Sequence, residues 1–188
     1  MRRAAILPRL ARLRDDRSGS VLIEFAFGAA LLVTLLLGTV ELARFILLQQ
    51  KLERVAMTVA DLNARGEELT RAEVQAVFAA VPHLLAPFRM GADGVVVVSS
   101  VGDSGTGRTT VLWQEHGGGT APAVSRLGAV GETAILPHGL TFARNETAVV
   151  AEAMLRYEAL FLGPLIPSGQ LYARALQRPR LMDTMSLR

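Results

Sequence analysis

From Val21 to Val40 the chain passes through 20 residues carrying a single charge, Glu24. A helix rises ~1.5 Å per residue, so as a helix this run is ~30 Å long, the thickness of a bilayer's hydrocarbon core. A buried core helix in a soluble protein is the alternative. About 18 near-uncharged residues is already the usual length of a span, and we read the run as one. The apolar region of a cleavable secretory signal is only about 7–15 residues long and ends at a small-residue site. This run is longer and passes into Gly38-Thr39-Val40-Glu41-Leu42 without such a site. Arg2-Arg3 lies too far from the run, among the wrong neighbours, for a twin-arginine signal.

The flanks set the expected orientation. Residues 1–19 hold six arginines against Asp15 and Asp16, a net +4, whereas Glu41 and Arg44 nearly balance beyond the run. Positive flanks stay in the cytoplasm, which places the N-terminus inside and the roughly 145 residues after the run outside. The leader also explains the overall +3 charge and the pI of about 10.1. The remainder is close to neutral, so the basic pI is no argument for nucleic-acid binding. With no cysteine in the 188 residues, disulfides, thiolate catalysis and cysteine-ligated metals are excluded.

Glu24 has two readings. A carboxylate in a span costs ~2.5–3.5 kcal/mol at the centre and less near the interface. Glu24 either lies close enough to the cytoplasmic face to reach water or awaits a positive partner. If the chain were cut after Gly19, Ser20 would carry a new ammonium group, and that of a neighbouring subunit would neutralise Glu24.

Gly19-Ser20-Val21-Leu22-Ile23-Glu24-Phe25 resembles the processing site of type IV pilin-like proteins: a glycine, four mostly apolar residues, then glutamate. Glu24-Phe25 followed by a long apolar helix resembles the TadE/TadG-like family of the tight adherence (Flp) pilus system. Glu41-Leu42-Ala43-Arg44 and Gln49-Gln50-Lys51-Leu52-Glu53 are similar to that family's exit from the membrane. Val150-Ala151-Glu152, Tyr157 and Leu160-Phe161 are similar to its C-terminal strand, and Arg178-Pro179-Arg180 to members of the group. The leader departs from the pattern in carrying Asp15 and Asp16 near the cut. The resemblance implies a minor pilin-like (pseudopilin) component of Tad pilus assembly, inserted in the inner membrane and cut after Gly19 by a prepilin peptidase. Glu24 and Phe25 would then serve assembly, with other Tad pilus subunits and assembly proteins as partners.

Residues 1–16 read as a flexible cytoplasmic leader, with a short amphipathic helix after Pro8 as the alternative. The span does not end its helix at Val40, because no proline falls between Pro8 and Pro82 and the next strong stop is Gly66. Apolar residues recur at Phe45, Leu48, Leu52, Val55, Val59 and Leu62, a heptad spacing. A helix from Ser20 to about Arg65 is ~69 Å long. Under three heptads is too short for a claim of coiled coil, so the stripe is expected to pack on the chain's own domain. Gly28 and Gly38 do not form a G-x-x-x-G face.

Thr70 and Glu73 form a capping box, Leu69 can staple to Val74, and Val74, Val77, Phe78 and Val81 give a second helix one apolar face before Pro82 ends it. Residues 95–101 read as a β-branched strand, with 108–114 as its partner across the turn-rich residues 102–107. Gly102, Gly107, Arg108 and Thr109 nearly fit a phosphate-binding loop. Arginine replaces the lysine and a strand comes where a helix is required, so nucleotide binding is not expected. Residues 117–130 read as a mobile surface loop and 133–136 as a short edge strand stopped by Pro137. Residues 147–157 read as a strand, with Val149, Ala151, Ala153, Leu155 and Tyr157 on one face and Glu152, Arg156 and Glu158 on the other, among Val150 and Met154. A helix over residues 148–160 is the rival, since Ala, Glu, Met, Leu and Arg favour helix. Gly163-Pro164 and Pro167-Ser168-Gly169 break the chain beyond this strand, and the basic tail is expected to be loosely held.

His83, His116 and His138 lack metal-ligand spacing, and neither an H-E-x-x-H nor a G-x-S-x-G motif is present. Asn145-Glu146-Thr147 fits a glycosylation acceptor, and Trp113 is most simply a sheet residue. The expected fold is α+β: a long N-terminal transmembrane helix continuing into a small pilin-like domain with a second helix and an antiparallel sheet. The expected parts are a leader at 1–19, the extended helix at 20–65 and a periplasmic domain at 66–188. The bilayer is the expected first partner. No enzyme activity, cofactor, metal, nucleic acid or small-molecule substrate is expected. The alternative function is an uncleaved, signal-anchored periplasmic scaffolding or binding protein, and an anchored hydrolase is a third reading that would require a cleft with coupled titratable groups.

Overall fold

A computed structural model describes residues 18–65, 69–103, 107–136, 140, 142–144, 146–161, 163, 168–179 and 186–188. The leader before Ser18, the glycine stop at 66, His138, Asn145 and Arg180 lie outside the described residues.

Helix α1 runs from Ser18 to Asn63, 46 residues without interruption. It changes surroundings along its length. From Gly19 to Val40 its residues are exposed except Gly28, Ala29, Leu37 and Gly38, which are half-buried. From Leu48 onward one stripe is buried: Leu48, Leu52, Val55, Ala56, Val59, Ala60 and, just past the helix, Ala64. The heptad stripe therefore packs on the chain's own domain, as its spacing predicts, although Phe45 and Leu62 at its two ends remain exposed.

Helix α2 (Arg71–Leu85) starts at the predicted capping box. Thr70 Oγ1 accepts from the Glu73 N–H at 3.3 Å, and Glu73 Oε2 accepts from the Thr70 N–H at 2.8 Å. These bonds hold the Glu73 carboxyl below its ordinary pKa, chiefly through the Thr70 backbone N–H. The helix continues through Pro82, contrary to the sequence expectation. Pro82 falls in the last turn, where its missing N–H removes one hydrogen bond from a helix that has three residues left. Pro87 is the effective stop: it forces Ala86 into extended backbone at φ −47°, ψ 138°.

Among the described residues four antiparallel strands form one sheet: β1 (Gly94–Gly102), β2 (Thr110–Gly117), β3 (Thr147–Tyr157) and β4 (Gly169–Gln177), in the order β2-β1-β3-β4. Residues 147–157 are thus strand, and the helical rival is excluded. In register, Val98 and Ala151 are opposed, and Ala151 in turn faces Ala175. Helix α1 lies over β3 and β4, with α2 beside it toward β2. The core between helices and sheet takes Val96 and Val98 from β1 and the predicted row Val149, Ala151, Ala153, Leu155 and Tyr157 from β3. Gly117 allows the close approach of α2, because a Cβ there would meet the Phe78 ring at 2.5 Å.

The opposite face of the sheet departs from expectation. Residues 118–136 cover it instead of forming a free surface loop: Leu127, with Phe142 from further along the connection, joins Val101, Val111, Ala148 and Val150 in a second core cluster. Backbone bonds fasten the cover, including Thr120 N–H to Gly91 O at 2.8 Å and Ile135 N–H to Leu127 O at 2.8 Å. The expected edge strand at 133–136 is reduced to one bridge, Thr133 with Thr110. The tail also differs. Strand β4 occupies residues 169–177, and Arg188 is pinned to the start of α2, accepting from the Arg71 N–H and donating to Leu69 O, each at 3.0 Å.

Two substitutions measure these contacts. Leu52→Ala, at a fully buried site, is expected to destabilise the domain by about 2–5 kcal/mol in urea titration of the detergent-solubilised chain. Thr70→Ala removes the cap and is expected to cost about 1 kcal/mol by the same measurement.

Candidate functional site

The chemistry of the apolar half of α1 lies in what it leaves unpaired. Every backbone group in mid-helix is satisfied within the helix, and the two hydroxyls are as well: Thr34 Oγ1 donates to Ala30 O at 2.9 Å and Thr39 Oγ1 to Leu35 O at 2.8 Å. Glu24 remains as the run's charge, exposed and touched by Ser20 Oγ at 3.5 Å. Among the described residues, Gly19, Ser20, Glu24 and Phe25 therefore sit exposed together on the first turns of a helix. A Cβ built at Gly19 or Gly28 meets nothing within 4 Å, so the fold itself does not require glycine at either place. The helix is long and apolar enough to cross a membrane, and none of its most apolar stretch is buried.

A second acidic residue closes the run. Glu41 has 1% of its surface exposed. Its Oε2 accepts from the Leu160 N–H at 2.8 Å and the Phe161 N–H at 2.9 Å, and its Oε1 accepts from the Tyr157 hydroxyl. Arg44 approaches the carboxylate at 3.9 Å and donates to Glu158 O at 3.1 Å. Its guanidinium also lies over the Phe88 and Tyr157 rings at 5.6 and 5.8 Å. Phe45 meets the Tyr157 ring edge-on, with centroids 5.2 Å apart. The donors, the Tyr157 hydroxyl first, hold the Glu41 carboxyl below its ordinary pKa against the opposing effect of burial. Burial, then Glu41, pushes the Tyr157 hydroxyl upward. The carboxylate is thus charged and the phenol protonated at neutral pH, and together they form a latch between α1 and the segment leaving β3.

Sequence reading placed Glu41 at the exit of the span, Tyr157 at the end of a strand and Leu160 and Phe161 beyond it, but did not join them. The available signal was an acidic residue directly after an apolar run, which does not reveal a partner more than a hundred positions away.

A second buried carboxylate, Glu152, lies in mid-β3 on the loop-covered face. It accepts from Ser125 Oγ, from the Arg126 N–H at 3.0 Å and from Tyr172 Oη at 2.7 Å. The Arg126 guanidinium stacks 4.0 Å over the Tyr172 ring. Burial and Glu152 push the Tyr172 hydroxyl upward. His83 lies in the last turn of α2 and His116 on β2. At the near-match to a phosphate loop, the Gly107 N–H donates to the Asp103 carboxylate oxygens at 2.9 and 3.0 Å, and strand β2 comes next.

Glu41→Ala is expected to speed amide hydrogen exchange at Leu160 and Phe161 by at least about tenfold while leaving the β1 amides protected. Because the Glu41 pKa is depressed, the latch contributes its full stability above the ordinary carboxylate range and loses it as pH falls through the lower folded value. Near-ultraviolet dichroism is expected to hold through the ordinary glutamate range and drop only below it; Glu41→Gln should abolish that acid step.

No curated protein and no solved structure matches the chain. The TadE-like protein family matches residues 19–61. That match takes in Gly19, Ser20, Glu24, Phe25 and Glu41, so the likeness to TadE-like proteins rests on this helix.

Proposed function

We propose that the protein is a minor pilin-like component of Tad/Flp pilus assembly, stored in the inner membrane by α1 and trimmed after Gly19 by a prepilin peptidase. One observation carries the reading: among the described residues, the half of α1 bearing the processing-like motif is exposed, while its other half is packed into a domain. A helix with that division needs an apolar medium for its first half, supplied by lipid before assembly and by neighbouring subunits after it. The match to TadE-like proteins covers this same helix and supports a role in Tad pilus assembly.

The leader's positive charge keeps it cytoplasmic and places the domain in the periplasm. Cleavage exposes the Ser20 ammonium. Glu24 then receives the ammonium of an adjacent subunit, which neutralises a charge that lipid solvates poorly and fixes the axial register between helices. Phe25 and the apolar residues beyond it supply the packing surface. In this scheme the chain is a substrate of the peptidase and has no catalytic role of its own.

Mass spectrometry of the membrane-extracted chain tests the reading: a polypeptide beginning at Ser20 supports it, and an intact leader leaves an anchored scaffolding protein. Gly19→Trp meets open space at its Cβ, so it is expected to leave insertion intact and block shortening. If the substituted chain still loses 19 residues, the cut lies elsewhere. Glu24→Val is expected to retain insertion and trimming but to lose recovery in sheared pili.

A further inference from the structure

Leu160 and Phe161 keep 60% and 47% of their surface exposed, although both are large and apolar. Their placement is fixed by their backbones, whose N–H groups lie 2.8 and 2.9 Å from Glu41 Oε2. Glu41 is the residue directly after the apolar run. Wherever the end of that run sits, Leu160 and Phe161 sit beside it. Exposed apolar side chains also continue along α1 from the end of that run, at Val40, Leu42 and Ile46.

We infer that Leu160 and Phe161 form a second membrane contact, seated in the interfacial layer of the leaflet through which α1 leaves. This rests on the reading of residues 21–40 as a span, and it adds a surface of the globular domain to the helix already assigned to lipid. The occupant is the phospholipid bilayer, because the pair is continuous with the lipid-facing surface of α1 and is held level with its end. The latch explains how two apolar side chains can be presented outward: the carboxylate satisfies the backbone of the segment, so neither side chain is needed in the core. An amphipathic segment at this depth buries its apolar side chains in the boundary between headgroups and acyl chains. A single helix leaves the domain free to swivel over the membrane. A second contact beside it fixes the domain's tilt.

The test uses the full-length chain in phosphatidylethanolamine–phosphatidylglycerol vesicles containing lipids brominated at shallow or deep acyl positions. Trp113 is the chain's only tryptophan, so the parent protein supplies the background to be subtracted. Phe161→Trp is expected to add blue-shifted emission quenched more strongly by shallow than by deep bromines. Leu31→Trp, within the run, is expected to be quenched most by deep bromines. If Phe161→Trp is unquenched while Leu31→Trp is quenched, the inference is overturned and the span stands. That outcome leaves the pair facing water or a neighbouring subunit. If neither variant is quenched, the span fails and the inference fails with it.

Discussion

Burial of one stripe of α1, from Leu48 to Ala64, against one face of the sheet makes a stable domain of the remaining chain. A small sheet of this kind needs a covered apolar face to persist. Here α1 covers β3 and β4, and α2 covers the side toward β2. The same helix extends beyond the domain as a bare apolar rod. A helix satisfies its own backbone hydrogen bonds, so it can pass from one medium to another without a break in structure. With no proline or turn between the halves, the domain's orientation is tied to that of the rod.

Two buried carboxylates help to fasten segments that run outside the strands. Glu41 gathers the chain leaving β3, and Glu152 gathers the loop over the opposite face together with Tyr172 of β4. Each receives several N–H or O–H donors in place of water, which is what a buried charge requires. Their location has a common logic. Loops over a sheet expose backbone N–H groups that strand pairing does not satisfy, and a carboxylate on the adjoining element can accept two or three of them at once.

Elements governed by neighbours within a dozen residues were legible. The apolar run and heptad stripe gave α1, the Thr70–Glu73 pair gave the start of α2, and the alternation from Val149 to Tyr157 gave both a strand and its core-facing row. Strand β4 was not legible, because Leu171, Ala173, Arg174, Ala175, Leu176 and Gln177 favour helix as single residues. Pairing with β3 overrides that preference. Residues 117–130 looked like a surface loop and are one in conformation from 118 onward, yet Leu127 is buried because the topology places that loop over an apolar sheet face.

The sequence by itself determined the continuous helix, its apolar length and the position of Gly19 and Glu24 at its start, since these depend on residue type and period along the chain. The tertiary structure decided what each buried acid holds. Glu41 meets Tyr157, Leu160 and Phe161 only once β3 has packed beneath α1, and Glu152 meets Ser125 and Tyr172 only once the loop and β4 have closed around β3. Hydrogen bonds between positions so far apart are fixed by how the elements pack, and no local pattern encodes them.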